Sequence, residues 1–233
     1  MIGGVYMSSK KLKISFVINI IIFMLTLIAS IIMFAGIEFM KGNSGVLVST
    51  KLEMFKFFTV DSNIFMGIMA LMLAIDEYKL LSGKIEEIPK YKYALKLMST
   101  TGVALTFFTV FLYLGPISEY GIYSLLLNSN LFYHLFIPVL SMLVFTIFEG
   151  SDKLSLKYSV LGIIPSVLYT VFYLINVLIH MENGKVSPLY DWYYFVQNGV
   201  WTTVIVLPFM LCMTYLLSFI LLKLNQISVS KNY

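Results

Sequence analysis

Residues 55–75 read FKFFTVDSNIFMGIMALMLAI. From Ile64 to Ile75 no residue is charged, and the first carboxylate after the run is Asp76. A helix needs roughly 20 apolar residues to cross the hydrocarbon core of a bilayer. Reading back to Phe58 and forward to Leu81 gives such a span, 58–81. Its entrance is unusual, because Thr59, Asp61, Ser62 and Asn63 put four hydrogen-bonding side chains within five positions.

The rest of the chain has the same character. Of its 233 residues 59% are hydrophobic and 12% charged, with a mean hydropathy of +0.89. A soluble domain of this size cannot hide that much apolar surface, so the composition predicts an integral membrane protein. Further apolar spans are predicted at 14–36, 94–115, 130–148, 158–180 and 199–222. The expected fold is all-α: one polytopic bundle of six transmembrane helices, since helices satisfy their own backbone in lipid. No repeat, low-complexity tract or soluble domain interrupts it. The first span is too long for a signal-peptide core and lacks a small-residue cleavage site, so it reads as a retained helix. Met1 and Met7 are both candidate starts.

All sixteen basic residues are lysine. Without arginine, bidentate phosphate recognition is disfavoured, and no basic stripe points to nucleic acid. With the N-terminus inside, twelve lysines fall on the cytoplasmic side, and Lys41, Lys51, Lys56 and Lys185 fall on the other. That excess predicts both termini in the cytoplasm. The Lys, Ile, Phe, Asn and Tyr bias fits an AT-rich bacterial genome, hence a bacterial cell membrane.

Charge is absent from the middle of every span. Central polar groups such as Asn19, Thr106 and Asn176 read as interhelical hydrogen-bonding residues. Asp76, Glu77 and Glu149 close their helices near lysines and read as solvated helix ends. Cys212, the one cysteine, reads as a small core residue. Trp192, Tyr193 and Tyr194 read as an interfacial aromatic belt.

The chemistry gathers in one leaflet. The second span enters at Thr59 to Asn63. The fourth opens NSNLFYHLFIPVL, residues 128–140, with Asn130 as a plausible cap and His134 about 6 Å deeper. A threonine hydroxyl becomes a nucleophile when a base within hydrogen-bond reach takes its proton. Thr59 and His134 form such a pair if these spans are neighbours. Asp61 and Asp191 are candidates to orient the imidazole, and Ser62, Asn63 and Asn130 to donate to an oxyanion. Against this stands capping by Thr59, Asp61 or Ser62. His134 reads equally as a satisfied interfacial histidine. His180 competes as base but reads as solvated. A metal held by His134, His180, Asp61 and Glu182 has no supporting ligand spacing, and no cofactor motif occurs.

The motifs KFFTVDSN (56–63) and LFYHLFIP (131–138), in a six-span chain of this length, resemble the androgen-induced and androgen-dependent membrane proteins and their bacterial relatives. The resemblance implies an intramembrane threonine hydrolase of fatty acid esters of hydroxy fatty acids. Thr59 matches its catalytic threonine and His134 its catalytic histidine. The Thr59, Ser62, Asn63 pattern and the Asp191-Trp192 pair look more like the bacterial branch. The expectation is a lipid-ester hydrolase, with membrane lipids as partners and neither cofactor nor metal. The alternatives are a non-catalytic six-span protein that binds or moves a lipid or small molecule, and a small-solute permease. The permease needs a polar path, against which the uncharged span centres argue.

Overall fold

The computed structural model describes residues 9–45, 48–149 and 154–230; Met1 and Met7 lie outside them. Among the described residues, six helices are long and apolar enough to cross a membrane. They are α1 (Ser9–Ala35), α2 (Phe58–Leu81), α3 (Lys90–Ile117), α4 (Ser129–Phe148), α5 (Leu156–Ile179) and α6 (Val200–Ser230). The chain is thus a helical, multi-pass membrane protein, with the expected spans recovered to within a few residues except where α1 begins earlier and α6 runs on to Ser230. With six crossings, the start of α1 and the end of α6 share one end of the bundle, here the terminal end. The entrances of α2 and α4 share the far end.

Helix α3 is the hub, packed against α2, α4, α5 and α6. Its stretch LMSTTGVAL, 97–105, is small and hydroxyl-rich. Ser99 and Thr100 donate to the Lys96 carbonyl at 3.0 and 2.8 Å, and Thr101 to Leu97 O at 2.8 Å. Returning their protons to their own helix, these residues leave thin faces that let neighbours approach closely. Two glycines mark where no side chain fits. A Cβ on Gly67 of α2 would lie 2.7 Å from Thr26 Cγ2 of α1. One on Gly162 of α5 would lie 2.5 Å from Ser218 Cβ of α6 and 2.9 Å from Thr101 Oγ1 of α3. Gly162→Ala is therefore expected to destabilise by about 1–3 kcal/mol through overpacking, read as a lower melting temperature in detergent. Adding Ser218→Gly, which removes the closer of the two neighbours and leaves Thr101, is expected to restore part of the loss.

Proline shapes α4. Pro138 has no N–H to give the carbonyl of residue 134, and the preceding segment Phe132–Phe136 widens into π-helix. That wide turn carries Tyr133 and His134, both buried. At the far end the loop after α1 is tied down by Asn128, whose Oδ1 accepts from Phe39 N at 2.7 Å and Met40 N at 2.8 Å. Between α5 and α6 a two-strand hairpin pairs Met181–Glu182 with Lys185–Val186. Its turn is Asn183-Gly184, both at positive φ (50° and 75°), as an Asn-Gly hairpin turn demands.

Several sequence readings change. The aromatic residues after the hairpin do not form an open belt: Trp192 is buried, its ring edge-on to Tyr173 at 5.1 Å, and Tyr193 packs on Tyr169 at 6.3 Å. Only Tyr194 of the three is well exposed. Cys212 is on the outer surface of α6, not in the core. Asp76, Glu77 and Glu149 are not solvated ends but buried, as is Lys96. Each turns inward because a polar partner on another helix awaits it. Asn19 does bridge helices as expected, and Asn176 donates to Tyr190 O at 2.8 Å.

Candidate active site

Helix α2 begins at Phe58, and Phe57 occupies its cap position without a side-chain cap bond. The capping reading of Thr59, Asp61 and Ser62 is therefore incorrect. The first N–H, that of Phe58, donates instead to the Tyr193 phenol at 3.2 Å. The phenol comes from the loop before α6, so the helix start is secured by tertiary structure. Burial pushes the Tyr193 phenol's pKa up, opposed by its bonds to Tyr169 and Phe58 and reinforced by the nearby Asp61 charge.

The polar side chains of the entrance divide between two faces. Thr59 is half-buried. Its carbonyl accepts from Ser62 Oγ at 3.1 Å and from Asn63 Nδ2 at 2.7 Å. The same Asn63 nitrogen reaches the Tyr133 carbonyl of α4 at 3.2 Å. Asn63 thus bridges the turn of Thr59 to the residue beside His134. With Nδ2 committed to two carbonyls, Asn63 Oδ1 remains buried without a partner among the described residues. Ser62 turns toward α3, 3.5 Å from Thr106 Oγ1. Asp61 lies farther round, in a groove of about 320 Å³ between α2, α3 and α5 that also includes Phe58, Phe65, Met98 and Tyr169.

His134 is 4% exposed. Its Nδ1 lies 2.5 Å from the Leu125 carbonyl. A carbonyl only accepts, so Nδ1 carries the hydrogen, and in the neutral ring the lone pair is on Nε2. The orienting group is therefore this carbonyl. Neither Asp61 nor Asp191 performs that task, contrary to expectation. Asp191 is buried in the loop after the hairpin, where it accepts from the Tyr173 phenol and from Val196 N and Gln197 N at 3.1 and 2.8 Å. A carboxylate there satisfies a turn that would otherwise leave two amides unpaired. Asn130 is buried one turn above His134, but Asn128 holds the cap position. His180 stacks on Tyr190 at 3.6 Å and bonds through Nδ1 to Asn176 O at 2.8 Å.

The far end thus brings Thr59, Asn63 and His134 onto adjoining segments. No hydrogen bond joins Thr59 to His134 among the described residues. Catalytic hydrogen bonds are commonly long before substrate binds. Ser62 and Asn63 give their protons to the Thr59 carbonyl, which removes them as oxyanion donors in this arrangement. The participants missed in the sequence are the Leu125 carbonyl and the Tyr193 phenol. The first has no side-chain signature, and the second stood among residues read as a belt. The His-to-Pro spacing in LFYHLFIP was the available signal for the π turn. Among the described residues, no group of three or more His, Cys, Asp or Glu is arranged to hold a metal ion. In comparisons with known proteins, no family model, no curated protein and no solved structure matches the chain.

Proposed function

We propose that the protein is an intramembrane hydrolase of lipid esters, with Thr59 as nucleophile and His134 as general base. The observation that carries this reading is the Leu125 carbonyl on His134 Nδ1, which leaves Nε2 as a base on the segment that Asn63 ties to Thr59. Thr59 Oγ attacks the ester carbonyl while its proton passes to Nε2. The C–O bond to the alcohol then breaks as Nε2–H returns that proton to the leaving oxygen. Water hydrolyses the acyl-threonine by the same exchange in reverse order. In the first turn of α2, Phe58 N gives its proton to Tyr193, and Val60 N and Asp61 N give theirs to the Phe57 carbonyl at 3.0 and 3.2 Å, which leaves the Thr59 N–H as the oxyanion donor nearest the reaction. The lysine distribution supports both termini in the cytoplasm, and the Lys, Ile, Phe, Asn and Tyr bias supports a bacterial cell membrane as the setting.

A second reading, lipid binding without turnover, is favoured by the groove beside Asp61, which opens between apolar helices but has no Thr59 in its lining. A serine/threonine-hydrolase acylating probe separates the two. On the hydrolase reading, purified protein is labelled at Thr59, and labelling is lost in Thr59→Ala and His134→Ala. Equal labelling of wild type and both variants, or none at all with acyl-ester lipids also left intact, rejects the hydrolase.

A further inference from the structure

The terminal end holds a second polar site, remote from Thr59 and His134. Glu77 of α2 is 1% exposed, and Lys96 of α3 and Glu149 at the end of α4 are fully buried. Lys96 Nζ lies 3.3 Å from Glu149 Oε1 and donates to Asn19 Oδ1 of α1 at 2.5 Å. The Asn19 amide nitrogen donates to Glu149 Oε1 at 2.8 Å and to Glu77 Oε2 at 3.2 Å. Ser15 of α1 is hydrogen-bonded to Glu77 Oε1. One amide nitrogen therefore spans both carboxylates, which lie no farther apart than its two bonds laid end to end. From α6, Asn225 closes the site by donating to Phe145 O at 2.5 Å and Glu149 O at 3.3 Å. The adjacent Asp76 is already paired with Lys92.

The charges do not balance. Among the described residues, two carboxylates face one ammonium, because Lys92 is taken by Asp76. An unpaired charge in such an interior is unfavourable unless it is neutralised. A second observation points the same way: Glu149 Oε2 is buried with no hydrogen-bond partner among the described residues. Among the described residues the cluster thus lacks one positive charge, and it has an acceptor to spare. Asn19 cannot take up a proton, while the Glu77–Ser15 bond forms with either oxygen as donor.

We propose that Glu77, Lys96 and Glu149 form a proton-binding site that holds one exchangeable proton, shared by the two carboxyls. The titration belongs to the pair rather than to either residue. Because these three groups are joined by Asn19 and so link α1, α2, α3 and α4, loading and release of the proton act on the packing of four helices at once. The site does not depend on the hydrolase reading and stands or falls separately.

Infrared spectroscopy of the purified full-length protein tests it, since a protonated carboxyl and a carboxylate absorb apart. The spectra are taken in Asp61→Asn, which removes the half-buried carboxyl of the far-end groove. Near neutral pH this protein is expected to show a protonated-carboxyl band that shifts in D2O and does not respond to exchange of potassium for sodium. Glu77→Gln and Glu149→Gln, each of which balances the remaining charges, are expected to abolish it. Lys96→Met is expected to double it. No band near neutral pH overturns the proposal, as does a band surviving in both glutamine variants. A band that vanishes on adding sodium at constant pH makes this an alkali-cation site instead. Should Lys96→Met fail to fold, the melting temperature supplies the second measurement. It falls in the parent protein as rising pH removes the band, because an uncompensated carboxylate is left behind, and stays level in Glu77→Gln. The same pH dependence in both overturns the proposal.

Discussion

His134→Gln is expected to lower acyl-ester turnover by about 10²–10⁴-fold, the usual contribution of a positioned general base, while leaving the fold nearly intact. The glutamine amide can keep the donor to the Leu125 carbonyl that His134 Nδ1 now supplies. It fills most of the same space but offers no basic nitrogen. Loss of rate without loss of stability therefore isolates the proton transfer from packing, which His134→Ala does not. Steady-state kinetics in detergent or liposomes, beside melting curves, makes the comparison. The fall is expected in kcat, because the base acts in the transition state. Turnover of the unmodified protein is also expected to drop as pH falls, since protonating Nε2 removes the base. Unchanged kcat in His134→Gln is incompatible with the mechanism.

Lys96→Met is expected to produce the largest loss of stability, about 3–5 kcal/mol, the usual effect of breaking a buried ion pair on one side. The methionine keeps the apolar stem of the lysine but removes the donor to Asn19 Oδ1 and the charge beside Glu149. Adding Glu149→Gln is expected to recover a large part of the loss, because Glu77 is then the one carboxyl of the pair that must be held protonated without the ammonium. Reversible unfolding in mixed micelles measures both steps. If Lys96→Met is as stable as the wild type, the ammonium is not the counter-charge of this cluster.

The two ends of the bundle were unequally legible. The far end announced itself because TVDSN and HLFIP place several polar types in short stretches at span entrances. Their division between faces was not legible. Ser62 and Asn63 are adjacent in sequence, yet one meets Thr106 of α3 and the other Tyr133 of α4. Asp191 was read as an orienting carboxylate, but its loop folds back so that it serves Tyr173 and two backbone amides. At the terminal end, Glu77 and Glu149 stand where helix ends meet lysines, a pattern shared with ordinary solvated ends. Their burial depends on two other helices, which bring Asn19 from 58 residues before Glu77 and Lys96 from 19 residues after Glu77 and 53 before Glu149.

What the sequence determined by itself is the set of six helices and their approximate limits. In hydrocarbon each backbone amide must bond within its own segment, so length and hydropathy suffice to reveal a span. The rotation of each helix about its axis was decided only in the tertiary structure. An all-round apolar helix carries little pattern to say which side faces lipid. That choice is made where Gly67 meets Thr26, where Gly162 meets Ser218, and where Asn19 gathers Lys96 and two glutamates. Close approach and buried hydrogen bonds, both properties of pairs of helices, settle what no single helix encodes.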